Sequence, residues 1–572
     1  MSDVQTDALF KAKRKMGSLR PWLAASILIV MFLGSQAVSS REAEVWCQSR
    51  RCKISWGGAN GTSTATAWGV FWDKVNVTGW GELTVQSNEQ SEDLEQAFAA
   101  GYVEGALTPE LIHNHWSNFY EATFGDDLNG SRYAIASSFV TDNDQYIQKH
   151  IQTANLTDPY WYQVQLIWSQ LDGLIAGYKA VHDAQRLPPL SRLDFLLLQA
   201  MVDLSSLIHR PFMDEKHATW TYDLAKAYMR HTTHCSAMVK VTADFSELWA
   251  THNTWTGYFS MLRIAKRYHL PFHAAPIQVD SPSVSAPTSV FSGYPGILAS
   301  TDDFFVLSSG LVVLETTNAV FNQALLDTIT PVCVLTWARS ILANRVATDG
   351  PSWVEAFKPF NSGTINNQWM IVDYNLFTPG KPLKANTLWI LEQLPGFIQA
   401  ADVTDILRYG YWPSYNRPYF EEVRKRSGSA AMAAKFGDYF TYSLYTRAKI
   451  FRRDQGGVRT REQLKQLMRY NDWQHDPFSI DPRSGNRSAE LSIAARYDLE
   501  PVGPTPFGNT DAKMVGSDDV RKLSMEAICG PTHETQPVFS WKSKWAASKI
   551  HNGHPDSFSF SWTNFSGFAE LR

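Results

Sequence analysis

The apolar spacing of this 572-residue chain changes character at Cys235, and that change restricts the fold more than any other feature. Upstream, Leu166, Ile167, Leu171, Leu174, Ile175 and Tyr178 recur at helical spacing. A second helical series with Phe195-Leu196-Leu197-Leu198 follows the break at Pro188 and Pro189. From Cys235 the period becomes two: Cys235, Ala237 and Val239 take one face of a strand, and Ser236, Met238 and Lys240 take the other. Phe304-Phe305-Val306-Leu307 and Leu311-Val312-Val313-Leu314, separated by Ser308-Ser309-Gly310, read as a hairpin. Strand-like segments are densest over residues 235–375, and residues 280–287 and 481–488 read as surface loops. Helices before Cys235 and strands after it predict an α+β layered body. With no fixed-period repeat and no composition break, one continuous body is expected.

The formal net charge of −4, without a basic stripe, excludes nucleic acid as an expected partner. Lys11, Lys13, Arg14, Lys15 and Arg20 precede an apolar run at residues 22–33 and then small residues, so residues 1–40 read as a secretory signal peptide. A signal anchor is the alternative, although about a dozen apolar residues is short against the roughly twenty that span a bilayer. Asn-x-Ser/Thr sequons at Asn60, Asn76, Asn129, Asn155, Asn486 and Asn564 agree with passage through the secretory pathway. The expected location is therefore secreted or lysosomal.

Of the five cysteines, Cys47 and Cys52 are close enough to pair in an oxidising compartment, whereas Cys333 and Cys529 pair only if the fold brings them together. The odd thiol is a candidate reactive group, and Cys235 is the natural choice. A free cysteine is commonly just a small buried apolar group. The sharper reading of Thr232-Thr233-His234-Cys235-Ser236 is a thiol that attacks its own preceding carbonyl. Cleavage between His234 and Cys235 would free an α-amine of pKa about 7.7 to 8.0, a general base on the same residue as the nucleophile. No Gly-x-Ser-x-Gly elbow and no His-Glu-x-x-His pair occurs, which argues against a serine α/β-hydrolase and a zincin. His113-Asn114-His115 lacks supporting ligands and reads as structural, and Asp172 and Gly173 read as packing or helix-contact positions.

Residues 235–240, followed by Thr251-His252-Asn253-Thr254-Trp255 and residues 258–264, resemble the signature of the phospholipase B-like family of N-terminal-nucleophile hydrolases. Asn366-Asn367-Gln368-Trp369, Ser414-Tyr415-Asn416, Arg447-Ala448-Lys449-Ile450-Phe451-Arg452-Arg453, Leu467-Met468-Arg469-Tyr470-Asn471-Asp472-Trp473 and His475-Asp476-Pro477 follow in the family order. Upstream, residues 170–178 are similar to a helical segment of the same family, so the resemblance covers nearly everything after about residue 60. Insect members called lamina ancestor are the subgroup it most resembles.

The resemblance implies an αββα four-layer sandwich, cut into a helix-rich chain of residues 41–234 and a chain of residues 235–572 that together form one body. It implies Cys235 as nucleophile, Asn416 as donor to the developing oxyanion, and Arg447 as the cation beside the thiol. His252, Trp255 and Thr316 are implied as supporting or substrate-binding residues. His252 and Trp255, with Tyr258, Met261 and Leu262, also follow helical spacing. The substrate class carried over is the acylated glycerophospholipid, met at a membrane or micelle surface, with no cofactor and no metal. Two alternatives stand beside it: an amidase of acylated lipids, and a secreted binding or signalling glycoprotein that keeps the fold. Cysteines that some relatives carry after the His-Asp-Pro motif are missing from residues 479–488.

Overall fold

The computed structural model describes residues 38–57, 64–153, 158–208, 220–233, 235–276 and 281–568. The signal segment up to residue 37, His234, Asp280 and the sequons at Asn60 and Asn155 lie outside the described residues. Residues 41–572 form one compact unit.

Before Cys235 the strands are β1 (Ser39–Gln48), β2 (Arg51–Trp56), β3 (Ala67–Asp73) and β4 (Trp80–Ser87). Next come β5 (Ser236–Val241), β6 (Leu248–Asn253), β7 (Trp255–Gly257), β8 (Arg263–His269), β9 (Thr288–Gly293), β10 (Phe304–Leu307), β11 (Leu311–Thr317) and β12 (Asn367–Asp373). The last are β13 (Leu388–Leu394), β14 (Phe397–Asp402), β15 (Tyr411–Ser414), β16 (Phe507–Asn509), β17 (Asp511–Val515), β18 (Glu526–Cys529) and β19 (Thr563–Asn564). The larger sheet runs β14-β13-β12-β11-β10-β9-β8-β4-β3-β1-β2, the smaller runs β15-β5-β6-β17-β18-β19, and β16 pairs with β7.

The expectation of helices first and strands later is corrected by β1–β4, which build one flank of the larger sheet from sequence upstream of Cys235. Ala67–Asp73 is buried along most of its length, so it lacks the polar alternation that marks a half-exposed strand. β4 runs parallel to β8, from Trp80 opposite Arg263 to Gln86 opposite His269. The β10–β11 hairpin forms as expected, with Phe304 opposite Leu314.

The helices that matter here are α1 (Asp93–Leu107), α2 (Pro109–Phe124), α3 (Pro159–Val181), α4 (Tyr222–Thr232), α5 (Thr336–Val346) and α6 (Thr446–Asp454). α1 and α3 cross backbone to backbone. A Cβ on Gly173 would sit 1.9 Å from the Phe98 carbonyl oxygen, and one on Gly101 would sit 1.9 Å from that of Gln170. Glycine at these positions is what lets the axes approach. Asp172, beside this contact, accepts from Arg192 at 2.6 Å and Arg50 at 3.0 Å.

Val312 and Leu314 of β11 share a core with Ala237 and Val239 of β5 and Leu248 and Ala250 of β6, so the two sheets pack face to face. On the opposite face of β11, Val313 joins Val103 and Leu107 of α1 and Ala343 of α5. Met238, Trp249 and Met514 of the smaller sheet pack with Ala448, Ile450 and Phe451 of α6. Alternation along each strand thus assigns successive side chains to different cores. β5 is buried on both faces, as a strand inside a sheet between two cores must be.

Cys47 and Cys52 are directly opposite in the β1–β2 hairpin and form a disulfide. Cys333 and Cys529 are buried and unpaired, so with Cys235 the fold leaves three thiols rather than one. The sequon residues Asn76, Asn129, Asn486 and Asn564 are exposed. Among the described residues no helix is long and apolar enough to cross a membrane.

Candidate active site around Cys235

α4 stops because Thr232 and Thr233 turn their hydroxyls back onto the carbonyls of Tyr228 and Met229, at 2.8 and 2.7 Å. Two residues later Cys235 has φ +85°, and β5 begins at Ser236. A non-glycine residue in that region costs on the order of 1–3 kcal/mol and persists only where its surroundings hold it. Here the surroundings are dense: Cys235 is 1% exposed.

Arg447, in the first turn of α6, supplies much of that hold. Its guanidinium donates to the Cys235 carbonyl at 2.5 Å, to the Ser236 hydroxyl at 2.9 Å and to the Asn416 side-chain oxygen at 2.5 Å. The Trp255 ring lies under it at 4.0 Å, a cation–π contact in a desolvated setting. Trp255 is anchored in turn by its indole N–H on the Ile493 carbonyl at 3.2 Å. Asn416 also has a left-handed backbone, φ +65°, and its amide donates to the Thr317 carbonyl at 2.6 Å. Thr316 bonds the Ser414 hydroxyl at 2.6 Å, tying β11 to the end of β15 just before Asn416.

The Cys235 sulfur faces the Glu315 carboxyl at 3.9 Å. Burial pushes the thiol pKa well above its ordinary value and Glu315 adds to the shift, while Lys513 and the Trp255 amide oppose it. Burial also raises the Glu315 pKa well above the usual carboxylate range, with Asp302 adding. Both shifts favour the protonated forms. His252, on β6, is fully buried, and burial with the nearby Lys513 cation lowers its pKa to about 3, so its imidazole is neutral. Neither ring nitrogen makes a hydrogen bond of ordinary geometry, although the Glu315 backbone carbonyl faces the ring.

Beside this group lies a buried ionic cluster. Arg263 pairs with Asp302 at 2.9 Å and with Asp511, and Lys513 pairs with Asp511 at 2.8 Å and with Asp302. Burying such ions is costly unless each is paired. Two cations facing two carboxylates meet that condition.

Cys235, Asn416, Arg447 and Trp255 are thus gathered around one carbonyl, His252 lies beside the thiol, and Thr316 is attached through Ser414. The helical spacing of His252 and Trp255 is corrected: they lie on β6 and β7, followed by a short 3-10 turn at Tyr258–Ser260. The i, i+3 pattern arose from two short strands meeting at Thr254, not from a helix. Sequence reasoning missed Glu315, Lys513, Asp302, Asp511 and Arg263. The signal available for Glu315 was an acid placed inside the apolar run Leu311-Val312-Val313-Leu314 and its continuation. His115, read as structural, stacks on Tyr294 and bonds the Pro295 carbonyl at 2.9 Å.

A cleft of 1020 Å³ is lined by chain neighbours of the site rather than by the site residues themselves. Arg230 and His231 line it from the helix that leads to Cys235, and Gly257 and Phe259 from the segment after Trp255. Trp541 and the 90% exposed Val502 add apolar surface to a lining that also carries Glu121, Asp126, Arg132 and Lys549.

Comparison with known proteins matches residues 67–565 to the family described as Phospholipase B. Phospholipase B-like protein B of Dictyostelium discoideum is 39% identical over 510 residues, covering 88% of this chain and 86% of that protein. Mouse phospholipase B-like 2 is 39% identical over 525 residues, covering 87% and 84%. The human phospholipase B-like 2 protein is 39% identical over 523 residues, covering 87% and 85%.

Proposed function

This chain belongs to the phospholipase B family, and from that membership we propose that it is a cysteine hydrolase that cuts itself before Cys235 and then deacylates glycerophospholipids. The observation that carries this reading is a thiol on a backbone-strained residue whose own carbonyl is gripped by Arg447.

In the first reaction the sulfur bonds to the carbonyl carbon of residue 234. The thiol proton passes to the departing Cys235 nitrogen, and the C–N bond breaks to leave a thioester. Water then hydrolyses the thioester, returning the thiol and leaving a carboxyl group on residue 234. Cutting the bond ends the constraint on the Cys235 φ angle. Strain of about 1–3 kcal/mol released on the way to the transition state accelerates the step roughly five- to a hundredfold.

In the second reaction the freed α-amine takes the thiol proton and the sulfur attacks the acyl carbon of the lipid ester. The alcohol leaves with that proton, and water releases the fatty acid from the thioester. Arg447 fixes the nucleophile's carbonyl, and Trp255 and Tyr445 hold Arg447 from its faces. Asn416 supplies the oxyanion donor once its amide turns from Thr317, a contact worth about 2.7 to 4 kcal/mol in other hydrolases. His252, neutral and beside the thiol, orients it, and Thr316 steadies the Ser414-to-Asn416 turn.

The two facing sheets with helices outside them support the αββα sandwich of N-terminal-nucleophile hydrolases as the fold type. The parallel β4–β8 seam supports two chains, residues 41–234 and 235–572, that stay associated after the cut. The 1020 Å³ cleft is large enough for acyl chains, and its mixture of aromatic and charged lining suits an amphipathic lipid presented at a membrane or micelle surface. Exposed sequons support a secreted or lysosomal glycoprotein, led by the N-terminal signal. Placement with the insect lamina ancestor members rests on the residue matches alone. The same thiol chemistry serves amides, and assays on matched ester and amide lipids separate the two.

Intact mass and N-terminal sequencing of the purified protein, near neutral pH and after incubation at acidic pH, test the first step. A new terminus at Cys235 in the wild type and its loss in Cys235→Ala are expected. A Cys235→Ala chain that is still cut there would refute self-processing.

A further inference from the structure

We propose that the uncut chain carries a zinc site formed by the Cys235 sulfur, a ring nitrogen of His252 and a carboxylate oxygen of Glu315, and that zinc held there suspends self-cleavage. The suspension rests on the self-cleavage reading above; the metal site does not.

Donor atoms from the three side chains lie within 4.8 Å of one another, and the sulfur is 3.9 Å from the nearer Glu315 oxygen. Zinc bonds of about 2.0–2.3 Å place tetrahedral ligands roughly 3.3–3.8 Å apart, so side-chain movements of about 1 Å close the site. One thiolate, one imidazole and one carboxylate leave the fourth position for water. The sulfur ligand selects zinc over magnesium or calcium.

His252 provides an independent sign of a ligand. It is fully buried and neither ring nitrogen makes a hydrogen bond. Buried polar groups rarely go without partners, and this one is aimed at the thiol and carboxyl that complete the set. The Glu315 backbone carbonyl facing the ring is the kind of outer acceptor that fixes ring orientation at metal sites.

The charges decide where a cation goes. His252 also approaches Asp302 and Asp511 within 4.8 Å, but those carboxylates are already paired with Arg263 and Lys513. A dication there would displace two buried cations from direct ion pairs, whereas at Glu315 it meets only the field of Lys513 without a direct pair. Glu315 has no salt-bridge partner among the described residues. On binding, zinc displaces one proton from the Cys235 thiol and one from the Glu315 carboxyl, so the net buried charge is unchanged. Zinc withdraws electron density from the sulfur and pins it toward His252 and Glu315, which lowers its nucleophilicity and holds it off the preceding carbonyl carbon.

The test uses the full-length chain, stripped of metal by brief chelation and desalting before fragments accumulate and then titrated with cobalt(II) as the probe. One equivalent should produce a thiolate-to-cobalt charge-transfer band, and equimolar zinc should erase it. Glu315→Gln, a near-isosteric change, and His252→Asn should each weaken cobalt binding at least tenfold, with unchanged circular dichroism showing that they fold. Equimolar zinc should stop the appearance of the two fragments in the wild type, and EDTA should restore it. Absence of the band, or full affinity in both folded variants, overturns the site. A chain that binds cobalt but is never cut in EDTA keeps the site and overturns self-cleavage. A chain cut at the same rate with zinc bound overturns the suspension.

Discussion

The Arg447 guanidinium lies 2.5 Å from the carbonyl oxygen of Cys235, and among the described residues no carboxylate is within salt-bridge distance of it. A buried cation without a carboxylate partner relies on neutral acceptors and an aromatic face, here Cys235, Asn416 and Trp255. The value of Arg447 is therefore geometric: a planar fork that joins the Cys235 carbonyl to the Asn416 side chain.

Lysine cannot span both acceptors at once. Arg447→Lys is expected to slow fragment formation at least tenfold, followed as band intensity on denaturing gels. Unchanged kinetics would remove Arg447 from the cleavage machinery.

Gly173 tests the α1–α3 crossing. A methyl group 1.9 Å from the Phe98 carbonyl forces the helices apart, and overpacking of this kind costs about 1–3 kcal/mol or more. Gly173→Ala should lower the thermal midpoint by several degrees in calorimetry. Gly380→Ala, with open space around the new methyl although its φ is +73°, serves as a control for backbone strain without collision.

Two buried histidines set an acid dependence. Burial lowers the pKa of His115 to about 4 and that of His554 to about 3. The unfolded chain takes up these protons near pH 6.5 while the folded chain refuses them, so stability is full above that pH and falls as pH drops. The loss levels off near pH 4 for His115 and near pH 3 for His554, and is on the order of 3 kcal/mol for His115. Differential scanning fluorimetry from pH 7 to 4 should show this decline, and His115→Gln should flatten it. An equal slope in the variant would assign the decline to other groups.

The β4–β8 pairing joins sequence on either side of the proposed cut through seven opposed residue pairs, Trp80–Arg263 to Gln86–His269. After cleavage the fragments should co-elute in size-exclusion chromatography without denaturant and separate only on denaturing gels. Separation under native conditions would mean that this seam does not hold the body together.

Much of the framework was legible in the chain. Period-two alternation located β5, two apolar runs broken at Ser308-Ser309-Gly310 located the β10–β11 hairpin, and the proline pair separated α3 from the helix that follows. Cys235, Asn416 and Arg447 were legible through family motifs, because short runs around them keep a recognisable order. β3 and β4 were missed because strands covered on both faces lose the alternation that reveals a strand, and the exposed β2 was missed for want of an apolar face. His252 and Trp255 were misread because two short strands meeting at a turn mimic the i, i+3 spacing of a helix.

By itself, then, the sequence determined local periodicity, the reactive residue types and their order, since these depend on neighbours a few positions apart. Only the tertiary structure decided that Glu315 faces Cys235 across 80 positions and that Lys513 balances Asp302 across 211. Burial and pairing of charge depend on which faces two sheets press together, and that is fixed by packing between distant segments.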